Sequence, residues 1–214
     1  MPASPAPSMT WPPDPGTELT GHFVRLVPLD LDQHPQGLFD ALDSASVWEY
    51  FGAPRPANPR QAAQGLALLA GLPGRHQWTV LAATADLGVP VDTVLGMTSY
   101  FDVSPTDARL EIGATAYSPD VWATAVNPET KLLLLRHAFE TLGCGRVQFR
   151  TDVENERSRR AILGLGAHFE GILLRYERRV DGTLRDTALY SVTADMWPAV
   201  ADRLRQRVAA FLEG

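Results

Sequence analysis

Residues 128–142, PETKLLLLRHAFETL, constrain the chain more than any other stretch. Apolar side chains at Leu132, Leu134, Leu135, Ala138, Phe139 and Leu142 form one broad helical stripe. Strand-like segments stand on both sides of it, 108–117 ahead and 146–151 behind, and Ser118-Pro119 closes the first. Upstream, 22–29 alternates as an opening strand, and 30–45 reads as a helix with Asp30 or Asp32 placed to cap it. A loop at 51–59, a helix at 61–69 and strands at 77–83 and 93–101 follow. Downstream, a helix over 156–165 stops at Gly166, and Asp181-Gly182 joins strands 168–180 and 185–192 as a hairpin. A terminal helix runs from Asp195 to about Leu212. This order predicts one α/β (α+β) domain over 21–214, with a mixed, mostly antiparallel central sheet flanked by helices. Residues 1–20 read as a flexible tail, with six prolines before residue 17 and Trp11 as the only anchor.

Composition removes several classes. The longest apolar run is four residues, 132–135, which excludes a membrane helix, and the N-terminus shows no secretory signal. One cysteine, Cys144, leaves no internal disulfide and no multi-cysteine metal site, and the five histidines lack ligand spacing. The expectations are therefore a cytoplasmic protein with no metal. A net charge of −6 argues against nucleic acid as partner. The charge is divided unevenly, however. Residues 1–130 hold 5 basic against 14 acidic groups, and residues 131–214 hold 14 against 11. A basic second half suits an anionic cofactor, and an acidic first half suits a cationic acceptor.

Two junctions carry the chemistry. In 117–131, YSPDVWATAVNPETK, a strand gives way to a tight loop and then a helix, with Asn127 expected at the N-cap and Pro128 at the first helical position. Unpaired N–H groups and the positive end of the helix dipole would meet there, a site suited to phosphate or pyrophosphate. In the second, Asn155 caps the next helix and Ser158 faces the same way three residues on.

Segments 110–143 and 151–192 together resemble the GNAT acyl-CoA N-acyltransferase superfamily, in its RimJ/RimL-type branch of ribosomal-protein N-terminal acetyltransferases. The resemblance implies acetyl-CoA as cosubstrate and strands splayed at the cofactor site. The loop Trp122, Ala123, Thr124, Ala125, Val126 and Asn127 would wrap the pyrophosphate. The backbone of Ala114, Thr115, Ala116 and Tyr117 would pair with the pantetheine arm. Asn155 would touch the cofactor, and Ser158 would protonate the leaving sulfur. The family's loop is usually glycine-rich, and alanine at a position needing positive φ costs about 1–2 kcal/mol over glycine. Arg157, Arg159 and Arg160 are candidates for the 3′-phosphate.

The alignment implied by the resemblance makes Glu177 the general base. A two-residue hairpin loop at 181–182 would also set Glu177 opposite Asp186, and two facing carboxylates raise one pKa. Glu111, on the strand bordering the cleft, competes for the role or pairs with Arg109, while Tyr117 and Tyr176 are alternative proton donors. The implied reaction moves acetyl from acetyl-CoA to a primary amine, either a protein N-terminus or a small metabolite or antibiotic amine. A non-catalytic coenzyme A-binding module is the alternative from another class. The branch allows a homodimer.

Overall fold

A computed structural model describes residues 8–213, so expectations for residues 1–7 lie outside the described residues. One sheet of eight strands organises the fold, in the spatial order β1-β2-β3-β4-β5-β6-β8-β7. The strands are β1 (Leu19–Thr20), β2 (Val24–Pro28), β3 (His76–Ala82), β4 (Val94–Ser104), β5 (Arg109–Tyr117), β6 (Arg146–Asp152), β7 (His168–Arg178) and β8 (Leu184–Thr193). The helices are α1 (Pro35–Leu42), α2 (Ala45–Trp48), α3 (Pro59–Ala70), α4 (Val126–Arg136), α5 (Glu156–Leu165) and α6 (Trp197–Ala209). Strands β1 to β5 form an antiparallel meander, and β6, β8 and β7 a second antiparallel group. Among the described residues only β5 and β6 run parallel, joined by the crossover through α4. The mixed, mostly antiparallel sheet is the expected fold class.

The leucine stripe explains where the core lies. Leu133, Leu134, Leu135 and Ala138 are fully or nearly buried in one cluster with Leu110, Ile112 and Val147 of the sheet and Val200 and Leu204 of α6. Each such leucine contributes about 1.5–3 kcal/mol by leaving water. A smaller cluster on α1 and α3 packs Leu38, Leu42 and Leu66 with Met97 and Ala116. One polar contact ties the start of β2 to α4. The buried Glu129 carboxylate accepts the N–H groups of His22, Phe23 and Val24 at 2.8, 2.7 and 2.8 Å.

Local signals set most boundaries. Asn58 Oδ1 accepts the Gln61 N–H at 3.0 Å and starts α3, while Gly166, at φ +100°, ends α5. Three expectations shift. The helix foreseen over 30–45 starts only at Pro35, because Asp30 Oδ1 accepts the N–H groups of Asp32 (2.8 Å) and Gln33 (3.1 Å) and closes a separate turn. The long helix ends its regular course at Arg136 and widens through a π-type turn, His137–Thr141. The tail expected over residues 1–20 is anchored in its described part. The Thr10 N–H donates to the Leu142 carbonyl at 2.8 Å, Met9 and Trp11 pack on the core, and Trp11 lies 6.4 Å from the Tyr100 ring. No helix among the described residues is long and apolar enough to cross a membrane.

Candidate active site

Two parallel strands that part company create the site. β5 and β6 pair at Arg109↔Arg146, Leu110↔Val147 and Glu111↔Gln148, and then separate although β5 continues to Tyr117 and β6 to Asp152. A bulge in β5 accompanies the separation. Met97 faces Ala116 and Ser99 faces Gly113, so Thr98 stands opposite two residues, and Ala114 takes φ +46°. Gly96 lets β4 follow closely, since a Cβ there would stand 2.8 Å from the Tyr117 Cα. The result is a cleft of about 480 Å³ lined by Gly113 to Tyr117 on one wall and by Phe149 to Thr151 on the other.

Most of the residues expected at the cofactor meet there, whereas Thr124, Ala125 and Val126 do not line the cleft. Trp122, Ala123, Asn127, Asn155 and Ser158 all line the cleft. Helix α4 begins at Val126 with Ala125 in the cap position, so Asn127 lies inside the first turn rather than at the N-cap expected for it. Thr124 holds the loop instead: its Oγ1 donates to the Val121 carbonyl at 2.7 Å and accepts the Val126 N–H at 3.3 Å. Among the described residues, the N–H groups of Ala123, Thr124, Ala125 and Asn127 donate to no protein acceptor. Four free donors at a helix N-terminus fit the phosphates of coenzyme A. Ala123 adopts φ +63°, the left-handed conformation for which alanine costs about 1–2 kcal/mol over glycine. Asn155 caps α5 by accepting the Ser158 N–H at 3.0 Å, and the Arg157 guanidinium stacks 3.5 Å above the Trp122 ring. Of the arginines proposed for the 3′-phosphate, Arg157 lines the cleft, whereas Arg159 donates to the Val153 carbonyl and Arg160 pairs with Glu156.

At the far end of the cleft stands Glu111, 2% exposed. Its Oε2 takes Gln148 Nε2 at 3.0 Å and Arg150 Nε in a shorter contact, while Oε1 accepts no hydrogen bond among the described residues. Burial pushes this carboxyl up to about 7, outweighing the pull of Arg150 and Gln148 in the opposite direction. Arg109, the partner foreseen for Glu111, pairs with Asp102 instead. Register brings Gln148 and Arg150 to Glu111 from β6.

Glu177 lines the same cleft but does not face Asp186. The β7 register shifts between Leu173 and Glu177, where Arg175 adopts φ +51°, and Glu177 falls opposite Arg185. The Glu177 carboxylate pairs with Arg185 and lies 3.7 Å from Arg150, while Asp186 accepts the Arg175 N–H at 2.7 Å. The carboxylate couple expected across the hairpin is therefore absent. Tyr176 accepts a hydrogen bond from Arg150 at 2.7 Å, and Tyr117 is buried with its phenol pushed up by burial.

Three cleft residues had drawn no attention as site residues. Lys131 is buried, donates to Thr115 Oγ1 at 2.8 Å and is brought down to about 7 by burial. It is four residues from Asn127, so helical spacing already put both on one face. Arg150 shares a sheet face with Gln148, two residues before it on β6, but nothing local indicated Glu111 as their partner. Arg75, just ahead of β3, reaches the cleft across β4 with its guanidinium 4.7 Å from the centre of the Phe101 ring. A second, apolar cavity of about 360 Å³ between α1, α2 and α3 shares Phe51, Ala53 and Leu69 with the cleft wall.

Known proteins resemble this chain in sequence and fold. The family model for the Acetyltransferase (GNAT) domain matches residues 24–168. The Bacillus subtilis (strain 168) N-acetyltransferase YoaA, itself uncharacterized, is 24% identical over 164 residues, covering 75% of this chain and 88% of that protein. A solved acetyltransferase structure from T. thermophilus is 36% identical, with a TM-score of 0.80 over 93% of this chain and all of that one. The fold also matches spermidine N-acetyltransferase from Vibrio cholerae, solved with CoA and spermine, at a TM-score of 0.66 and 12% identity over 83% of this chain and 99% of that one. The chain belongs to the GNAT acetyltransferase family.

Proposed function

We propose that the protein transfers the acetyl group of acetyl-CoA to a primary amine by direct attack, with Glu111 as general base. The β5–β6 splay carries this reading, because it opens an unpaired strand edge beside a helix N-terminus with free N–H donors. The free N–H groups of Ala123, Thr124, Ala125 and Asn127, with Arg157, would hold the phosphates, and the bulged backbone of Ala114 to Tyr117 would run beside the pantetheine arm. An acceptor amine entering as its ammonium gives a proton to Glu111 Oε1, the free oxygen of a carboxylate whose affinity for protons suits pH 7. The neutral nitrogen forms a bond to the thioester carbon, the carbon–sulfur bond breaks, Ser158 on the cleft wall gives its hydroxyl proton to the leaving sulfur, and the proton that the new amide nitrogen sheds restores the Ser158 hydroxyl. Glu177 acts by holding Arg150 and Arg185 in place rather than by taking the proton. The combination of the 117–131 and 155–166 segments supports the RimJ/RimL-type branch, with a protein N-terminus or a small-molecule amine as acceptor.

Calorimetric titration of acetyl-CoA, with Asn127→Asp as the control, tests the cofactor half. The substitution keeps the side chain's size, suits a helix N-terminus and sets a negative charge beside the phosphates. Micromolar binding by the wild type and at least tenfold weaker binding by the variant are expected. A wild type that does not bind acetyl-CoA refutes the proposal.

A further inference from the structure

The charged residues lining the cleft are Arg75, Lys131, Arg150, Arg157 and Arg185 against Glu111 and Glu177. Both carboxylates are already committed to arginines, Glu111 to Arg150 and Glu177 to Arg185. The local balance is thus the reverse of the acidic first half of the chain, and it opposes a polycationic acceptor. Two cleft arginines, Arg157 and Arg75, form no ion pair among the described residues. Arg157 lies at the loop end, stacked on Trp122, where the cofactor phosphates account for it.

Arg75 stands at the other end and has no such explanation. Its guanidinium rests on the face of Phe101, its Nη1 reaches Ser99 Oγ at 3.3 Å, and its Nε is buried with no hydrogen-bond partner. Phe101 is the register partner of Glu111, and Ser99 that of Gly113, so Arg75 lies across β4 from the base. A planar cation held on an aromatic face, with a donor left over and no carboxylate within ion-pair distance among the described residues, is arranged to receive a carboxylate from outside.

Resting on the proposed acetyl transfer, we infer that the acceptor carries a carboxylate a few bonds from its amine, bound by Arg75 while the amine meets Glu111. A free amino acid supplies that group as its α-carboxylate, and a peptide N-terminus supplies it through an acidic side chain. The apolar cavity behind Phe51, Ala53 and Leu69 selects phenylalanine as the probe, since it can take the ring.

Steady-state transfer from acetyl-CoA would be measured with phenylalanine, phenethylamine, spermidine, and amidated Phe-Asp and Phe-Asn dipeptides. Phenylalanine or the Phe-Asp peptide should exceed its uncharged counterpart about 10–100-fold in kcat/KM, the effect of one charge-assisted pair. Phenylalanine over phenethylamine identifies the α-carboxylate as the source, and Phe-Asp over Phe-Asn the acidic side chain. In Arg75→Met that ratio should collapse toward one through KM, and Arg75→Lys should restore part of it. A residue that merely braces β4 would lower both members of each pair alike and leave the ratio intact. A preference for spermidine or phenethylamine, an unchanged ratio in Arg75→Met, or transfer to none of the five overturns the inference. Acetyl-CoA binding, followed by calorimetry in the same preparations, separates the two failures: lost binding in the wild type refutes the acetyl-transfer reading, and retained binding with the wrong acceptor preference refutes only this one.

Discussion

Glu111 shows how one side chain acquires a role from its surroundings rather than from its neighbours in sequence. It is an ordinary strand carboxylate in the chain ARLEIGATAY, yet the sheet buries it and offers partners to only one of its oxygens. Because burial lifts its pKa to about 7, the ionised form needed to accept a proton builds up as the pH rises through that value. The expected kcat/KM profile therefore climbs with pH around 7. Glu111→Gln should lower kcat by about 10²–10⁴ and abolish that limb. Glu177→Gln should keep the limb, and a profile that loses it in Glu177→Gln instead would return the base to Glu177. The sequence named both carboxylates, but ranking them needed two facts with no local signature. One is the bulge at Arg175 that moves Glu177 opposite Arg185, and the other is the Glu111↔Gln148 pairing between strands 37 residues apart.

At the level of elements, periodicity and caps disclosed most of the architecture. The leucine stripe, Asn155 with Gly166, and the Asp181-Gly182 hairpin each set a boundary close to the observed one. Boundaries decided by competing local bonds were less visible, as with Asp30, which closes its own turn and leaves the helix start to Pro35. The free N–H groups of the loop ahead of α4 were foreseeable because helix N-termini leave N–H groups unpaired wherever they occur. Glu129 was not, because its partners lie more than a hundred residues away in β2 and just before it. That carboxylate ties the first sheet group to the helix that shapes the cleft. Replacing it by glutamine puts an amide NH₂ against backbone N–H donors and breaks at least one bond. Glu129→Gln is expected to cost about 2–4 kcal/mol, read as a shift in the urea midpoint with an unchanged m value. A loss below about 0.5 kcal/mol would show that the three N–H groups find other acceptors.

Over the whole molecule, the N-terminal segment belongs to the fold to a greater extent than its prolines suggested. Composition reports what a segment cannot do alone, and Met9 and Trp11 gain their place from the Tyr100 and Cys144 surface that only the folded core presents. Trp11→Ala should therefore destabilise the protein by about 1–3 kcal/mol, lowering Tm by several degrees in a calorimetric scan, whereas a loose tail would leave Tm unchanged. The sheet itself is less uniform than its eight strands imply. Its five-strand and three-strand portions meet through three residue pairs at β5–β6, while the flanking ladders run five to seven pairs or longer. Mechanically, that junction is a seam. A molecule seated in the splay would touch both portions at once and serve as a clasp across it, so occupancy would stiffen the protein where its two portions are joined by three residue pairs. Ligand binding in the splay and cohesion between the two portions would then be one property.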